Sequence, residues 1–246
     1  MPAHAAVTAD RPLSLRPDRA VLVGVACTLL ATLALVTGDL LYRLDDGVVT
    51  APGSRWKIDE DRSFAELAAG TAMLGAAALL AHRAVTLPRS AVLGVWAAVL
   101  VLVTADDLLQ IHETAGGAVA SGLGLGERFG LDAQGWGELA VWGVLGLASL
   151  GALVVAYLHS GSAARRVSWA LVGCVGVLGV GAVGVDMLAI VVDPHVSGTA
   201  GWVIAMLESA GELVAAGLFL TVAVRFHAAT ARRHSRSAMT STSALP

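Results

Sequence analysis

Charged residues are scarce in this chain of 246 residues. Aspartate, glutamate, lysine and arginine make up 14% of it, whereas hydrophobic residues make up 56%. Soluble domains contain roughly 25% charged residues, and their apolar residues occur in shorter runs. The composition therefore excludes an ordinary soluble domain and predicts a polytopic membrane protein. The few basic residues are spread among loops, which excludes a nucleic-acid-binding surface.

Cysteine and lysine are nearly absent. The two cysteines, Cys27 and Cys174, lie inside apolar runs, which excludes a disulfide framework and a thiolate metal site. The single lysine, Lys57, lies in a loop, so no lysine is placed within the membrane for a Schiff base. Neither a Ser-His-Asp order nor a G-x-S-x-G nucleophile motif is present. Carboxylates and imidazoles are the groups that remain for chemistry.

Six apolar runs are long enough to cross the ~30 Å hydrocarbon core of a bilayer as helices. They cover approximately residues 20–42, 64–82, 90–111, 138–159, 166–191 and 201–225. We expect an all-α transmembrane bundle of six helices over residues 20–227. The polar tails at 1–19 and 228–246 are predicted to be disordered.

The basic residues are unevenly divided between the two sides of this bundle. With six spans, one side carries both tails and the second and fourth connections, which together hold eleven arginines. The other side carries four arginines and Lys57. Because cytoplasmic loops hold the excess of Lys and Arg, we expect a multi-pass plasma-membrane protein with both termini in the cytoplasm. Trp56, Trp136 and Trp202 then lie near the outer interface, as anchoring tryptophans do.

The spans carry a repeated pattern of acids. Spans one, three and five end in "TGDLLYRLDD", "TADDLLQIHE" and "GVDMLAIVVD", and the even-numbered spans contain "AELAAG", "GELAVW" and "GELVAA". The acids of the pattern are Asp39, Asp107 and Asp186 in the first set, and Glu66, Glu138 and Glu212 in the second. Their spacing of roughly 70 residues favours three pseudo-repeated helical hairpins. Chance resemblance between such short motifs is the alternative.

Depth gives a second indication that these acids belong together. The three aspartates follow an arginine at the start of their span by 18 to 20 residues. At helical rise this places all three ~27–30 Å from the cytoplasmic interface, near the outer edge of the hydrocarbon. Glu208 matches Glu66 in depth more closely than Glu212 does, and it shares a helix face with Glu212.

The stretch "TADDLLQIHE" holds the densest group of polar residues. Asp106 and Glu113 are seven residues apart and share a helix face, whereas Asp107 points about 100° away. His112 lies between these directions. The sequence leaves open whether Asp106 or Asp107 faces the interior of the bundle.

Such acids are compatible with a metal site. With few basic residues at that depth, they cannot all stay ionised unless protons or a cation neutralise them. Carboxylate oxygens with an imidazole suit a divalent metal ion. The predicted ligands are Asp107 and Glu212 first, then Asp186, Glu138, Glu208, His112, Asp39 and Glu66, with Asp106 and Glu113 as further members. His195, in a loop, is a second source of an imidazole.

Three functions fit these features. The leading hypothesis is a divalent-metal site near the outer face, with metal-activated water acting on a lipid or another amphiphilic substrate. The first alternative is a proton- or cation-coupled transporter, and the second is a scaffold or accessory subunit whose acids serve only packing. The spacing of Asp39 and Arg43 supports the structural alternative for that acid, because an i, i+4 pair can form an ion pair.

Glycine is abundant in two places. The third connection, residues 113–137, is glycine-rich and is expected either to dip back as a re-entrant cap or to form a flexible external loop. The run "GCVGVLGVGAVGVD", residues 173–186, has small residues at three- and four-residue spacing. This spacing favours close helix packing within the bundle or between subunits of a homo-oligomer.

Overall fold

The computed structural model describes residues 19–44, 54–58, 60, 62–128, 130–181, 185 and 199–242. This part of the chain is helical and contains no strand, which confirms the all-α class. The helices are α1 (Arg19–Leu44), α2 (Phe64–Thr86), α3 (Ala91–Leu109), α4 (Ile111–Leu123), α5 (Ala133–Leu158), α6 (Ser162–Gly179) and α7 (Thr199–Thr242). A short 3₁₀ turn, Ser54–Trp56, lies between α1 and α2.

Five of these helices are long and apolar enough to cross a bilayer. They are α1, α2, α3, α5 and the Gly201–Ala231 part of α7. The chain is therefore a multi-pass membrane protein. The predicted fifth span coincides in part with α6, which has 18 residues and ends at Gly179. Most of that span beyond residue 181 lies outside the described residues, so the sixth crossing and the orientation stay predictions.

The outer surface of the bundle is apolar. Leu147 is 71% exposed and Val144 is 68% exposed, and both lie on α5. Leu30 on α1 is 66% exposed. Large aliphatic side chains cover α1 and α5 on the faces that no other described helix contacts. Such a surface suits lipid tails, which are as apolar as leucine.

The core lies between α2, α3, α6 and α7. Leu80, Leu93 and Leu171 are fully buried there, and Phe219 is 1% exposed. Helix α7 packs against α1, α2 and α6, and α2 also packs against α3. Helix α1 packs mainly on α7 rather than on α2, so the structure does not show α1 and α2 as a packed hairpin. The repeat of three hairpins therefore stays a prediction.

Glycine and threonine allow α1 and α7 to approach closely. A Cβ atom added to Gly24 would lie 2.6 Å from Thr221 Oγ1, and one added to Gly217 would meet the side chain of Thr28. The Thr28 hydroxyl donates to the Gly24 carbonyl at 3.0 Å, and the Thr221 hydroxyl donates to the Gly217 carbonyl at 2.8 Å. Small residues paired in this way are the usual means of close helix packing in membranes.

The structure differs from expectation at the third connection. Its first half is a helix, α4, rather than a loop. Gln110 separates α3 from α4 with a left-handed φ of 50°, and its N–H is bonded to the carbonyls of Asp106 and Asp107. A single left-handed residue ends one helix by satisfying its last carbonyls, and the next helix then starts in a new direction. At the other end of the chain, α7 continues through the tail predicted to be disordered as far as Thr242.

Candidate functional site

Four carboxylates from three helices lie near the end of the bundle at which α2 begins, close enough to interact electrostatically. Glu66 lies in the first turn of α2, Asp107 in the last turn of α3, and Glu208 and Glu212 in α7. The charges of the other three act on the carboxyl group of Glu212, and that of Asp107 acts most strongly. Every described charged group that acts on Glu212 is an acid. We call these four residues the acid cluster.

Local structure explains how these side chains reach one place. Ser63 caps the start of α2, because its Oγ accepts a hydrogen bond from the Glu66 N–H at 3.1 Å. The Glu66 carboxylate in turn accepts a hydrogen bond from the Arg62 N–H. Glu208 and Glu212 are one helical turn apart and share a face. Packing of α2 on both α3 and α7 then brings the three helices together.

The members of the acid cluster are not equally buried. Glu66, Glu208 and Glu212 are half-buried, whereas Asp107 is exposed. A carboxylate needs water, a hydrogen-bond donor or a cation to remain ionised in such surroundings. The cluster is therefore an electronegative patch that reaches the surface at Asp107.

A buried carboxylate–imidazole pair lies at the corner between α3 and α4. Asp106 is fully buried, and its Oδ2 lies 2.9 Å from His112 Nδ1. A carboxylate oxygen accepts from an imidazole N–H, so this contact fits a proton on His112 Nδ1. The His112 ring also lies 5.7 Å from the Trp142 ring. The left-handed turn at Gln110 is what folds His112 back towards Asp106.

Asp106 has a second carboxylate oxygen that is not satisfied. Oδ1 is buried and has no hydrogen-bond partner within the described ranges. The sequence left open which aspartate is buried, and in the structure Asp106 is buried whereas Asp107 is exposed. The two aspartates nevertheless both lie in groups of polar side chains, one in the imidazole pair and the other in the acid cluster.

Asp39 is occupied by protein donors. It is fully buried, and its two oxygens accept hydrogen bonds from Arg43 Nε at 3.0 and 3.1 Å. The Ile58 N–H donates to Oδ1 at 3.2 Å, and Trp202 Nε1 donates to Oδ2 at 2.9 Å. The Arg43 guanidinium also lies over the Trp202 ring. These contacts join α1 to the following connection and to the start of α7, so they favour a structural role for Asp39.

Glu138 and Glu113 lie where α4 crosses the start of α5. Gln134 Nε2 donates to Glu138 Oε1 and to the Glu113 carbonyl, each at 2.7 Å. A Cβ on Gly116 would lie 2.8 Å from the Glu138 nitrogen, so the two helices are in backbone contact there. The Glu113 side chain is exposed. Neither acid is among the described groups that act on Glu212.

The predicted metal ligands therefore lie in separate groups of side chains rather than in one site. Glu66, Asp107, Glu208 and Glu212 form the acid cluster, whereas Asp106 and His112 form the imidazole pair. Asp186 and His195 lie outside the described residues. Within the described part of the chain, no three His, Cys, Asp or Glu side chains converge to hold a metal ion.

Two residues in these contacts were not identified from the sequence. Trp202 was expected to be an interfacial anchor, but its indole also donates to the buried Asp39. Gln134 links α4 to α5. For Trp202 a signal existed, because a buried carboxylate needs donors and a tryptophan near the same interface can supply one. No sequence signal pointed to Gln134.

Comparison with known proteins gives a family but no described activity. A family model described as "Domain of unknown function (DUF8692)" matches residues 29–226, which extend from α1 to α7. No curated protein and no solved structure matches the chain.

Proposed function

The chain belongs to the DUF8692 family, and we propose that it is an integral membrane protein that binds a hydrated divalent cation at the acid cluster. One observation carries the proposal. Glu212 is half-buried one helical turn from Glu208, and the packing of α2 on α3 and α7 places Glu66 and Asp107 near it. Carboxylates that lie near one another on packed helices repel one another when they are ionised, so a bound cation relieves that repulsion.

The donor set and spacing support a particular class of cation. All four groups are carboxylates, and oxygen donors suit hard cations such as Mg²⁺ and Ca²⁺. The described side chains do not converge on one point as three direct ligands would. A cation that keeps part of its water shell needs only one or two carboxylates as direct ligands, as Mg²⁺ usually does. The remaining carboxylates then accept hydrogen bonds from the bound water.

Metal analysis tests the proposal. Protein purified in detergent without chelator is equilibrated with Mg²⁺, Mn²⁺ or Ca²⁺, desalted and analysed by mass spectrometry for its metal content. We expect about one cation per chain in the wild type and a roughly tenfold weaker affinity in Asp107→Asn and Glu212→Gln, since each removes a charged ligand. Glu127→Gln is the matched control, because Glu127 is an exposed acid outside the cluster. Equal, substoichiometric metal in all four proteins would sink the proposal.

Hydrolysis of a lipid or amphiphile is a second candidate, favoured by the Asp106–His112 pair. A carboxylate that holds Nδ1 leaves Nε2 to take a proton from water, as a general base does. The His112 side chain is 22% exposed, so the ring is within reach of the surface. The expected result is that His112→Gln abolishes cation-dependent cleavage of short-chain ester or phosphoester amphiphiles while cation binding is unchanged. Cation-dependent cleavage that persists in His112→Gln would remove this candidate.

Proton- or cation-coupled transport is the function that would replace both cation binding and hydrolysis as candidates. The same acids would then load and release an ion, and they would need a polar route through the apolar half of the bundle. Thr28 and Thr221, which are polar residues there, are engaged in the α1–α7 contact. Ion-dependent flux into proteoliposomes that Glu212→Gln abolishes would establish transport instead.

A further inference from the structure

A group of basic side chains lies where α2 ends, at the end of the bundle opposite the acid cluster. Arg83 is only 7% exposed, and Nη2 donates to the His227 carbonyl of α7 at 2.7 Å. Arg83 Nε and His227 Nδ1 are both buried and have no hydrogen-bond partner among the described residues. A buried N–H without an acceptor is costly. The buried Arg83 Nε–H therefore indicates a site for an acceptor, and His227 Nδ1 supplies a second donor there when it carries the ring proton.

The titratable side chains around this place are all basic. The rings of His82 and His227 lie 5.4 Å apart. The described charged groups that act on His227 are Arg83 and His82, and no described acid acts on it. His82 is exposed, so the group opens to the surface on that side. We call His82, Arg83 and His227 the basic cluster.

The local contacts leave the guanidinium free to bind a further group. The Arg83 carbonyl accepts from the Leu87 N–H at 3.1 Å and from Ser90 Oγ at 3.4 Å. These backbone bonds fix the end of α2. The His227 carbonyl accepts from Thr230 Oγ1 as well as from Arg83. The Arg83 side chain therefore uses one of its five N–H groups within the described structure.

We propose that the basic cluster binds a phosphate group, as carried by an anionic phospholipid headgroup or by inorganic phosphate. A planar guanidinium with parallel N–H groups matches two phosphate oxygens, and the imidazoles supply further donors. Basic pockets between transmembrane helices bind lipid headgroups in this way.

The depth of the basic cluster agrees with this ligand. Arg83 follows Glu66 by 17 residues of α2. At helical rise the two residues are ~26 Å apart along the helix, which approaches the ~30 Å thickness of the hydrocarbon. The basic cluster therefore lies at the level of one layer of headgroups when the acid cluster lies near the other.

Thermal unfolding of the full chain in neutral maltoside micelles tests the proposal. The protein is titrated separately with short-chain phosphatidylglycerol, short-chain phosphatidic acid, inorganic phosphate and phosphatidylcholine. We expect a saturable rise in the unfolding midpoint with phosphate probes of net negative charge. Arg83→Gln should weaken the apparent affinity about tenfold, because a charge-assisted hydrogen bond to the anion is lost. A response to both lipids but not to inorganic phosphate assigns a headgroup, and a response to inorganic phosphate assigns the phosphate group itself.

Matched variants separate a site from general charge. Arg89→Gln removes an exposed positive charge at the same end of the bundle and should leave the affinity within about twofold of the wild type. Should Arg83→Gln not fold, the exposed His82→Gln takes its place, with an expected loss of about threefold. Equal losses in the cluster variant and in Arg89→Gln would overturn the proposal. So would the same response to phosphatidylcholine, or no saturable response to any phosphate probe.

Discussion

Asp39 shows how one buried acid can be fully used by the fold. Its oxygens accept from Arg43, the Ile58 N–H and the Trp202 indole, and its side chain is not exposed at all. Removing one member of a buried charge pair costs more than the pair contributes, because the other charge is left without a partner. Asp39 is therefore expected to affect stability rather than cation binding.

The corresponding prediction compares three variants. Asp39→Ala should lower the apparent free energy of unfolding by about 3 kcal/mol, because Arg43 loses its counter-charge. Trp202→Phe should lower it by about 1 kcal/mol, since a single hydrogen bond is lost. Glu127→Gln should be neutral. The measurement is unfolding in detergent followed by tryptophan fluorescence, alongside metal content, which Asp39→Ala should leave unchanged. A folded Asp39→Ala protein that loses its cation instead would make Asp39 a ligand.

At this scale the sequence identified the acids but not their roles. Composition and depth were enough to select Asp39, Asp106 and Asp107 as unusual. Helical periodicity showed that Asp106 and Asp107 point in different directions, but it could not show which one is buried. That depends on the left-handed Gln110, which turns α4 and His112 back over α3. No turn residue such as glycine or proline signals a break at this position.

Helices α1 and α7 pack closely because a glycine on each helix lies against a threonine on the other. Gly217 faces Thr28, and Gly24 faces Thr221. By contrast, a Cβ on Gly143 in α5 would meet nothing within 4 Å. The two glycines of α7 and α5 thus offer a matched pair, because a change to alanine raises helix propensity equally in both.

Alanine substitutions isolate the packing contribution. Gly143→Ala should be neutral or stabilising by up to about 1 kcal/mol, as expected from helix propensity. Gly217→Ala should destabilise by about 1–3 kcal/mol, because the added methyl group forces α1 away from α7. Circular dichroism during titration with a denaturing detergent measures both. Thr28→Ala should recover part of the loss in Gly217→Ala, because it removes the two nearest atoms but keeps a Cβ that would lie 2.8 Å from the added methyl group. No recovery at all in the double variant would contradict this contact.

The helices also show what apolar periodicity can and cannot predict. The long apolar runs gave α1, α2, α3 and α5 with only small errors at their ends. Helix α4 was missed because its glycines suggested a loop, whereas Gly116 is instead the residue that lets α4 touch the backbone of α5. Small residues in a membrane protein favour close packing as readily as they favour flexibility, and sequence alone does not separate the two.

Across the whole molecule, the acid cluster and the basic cluster lie at opposite ends of an apolar bundle. The acid cluster lies where α2 begins, and the basic cluster lies where α2 ends, ~26 Å away at helical rise. Positive charge is concentrated on the cytoplasmic side of membrane proteins. The basic cluster is therefore expected to face the cytoplasm and the acid cluster to face outward.

The number of membrane crossings decides whether the two termini lie on the same side of the membrane. The five apolar helices alone would put the two termini on opposite sides of the membrane. A sixth crossing through α6 and the residues after it would put both in the cytoplasm. The distribution of arginine favours six, since eleven of the basic residues then lie on one side.

Labelling of single cysteines in whole cells distinguishes five crossings from six. Cys27→Ser and Cys174→Ala first remove the native thiols, and Ser14→Cys, Ser121→Cys or Ser243→Cys then adds one. With six crossings, a membrane-impermeant maleimide should label residue 121 in intact cells and residues 14 and 243 only after lysis. Labelling of one terminus but not the other in intact cells would mean an odd number of crossings. Because both tails carry arginine, that result would also place one basic tail outside, against the charge distribution from which the orientation was predicted.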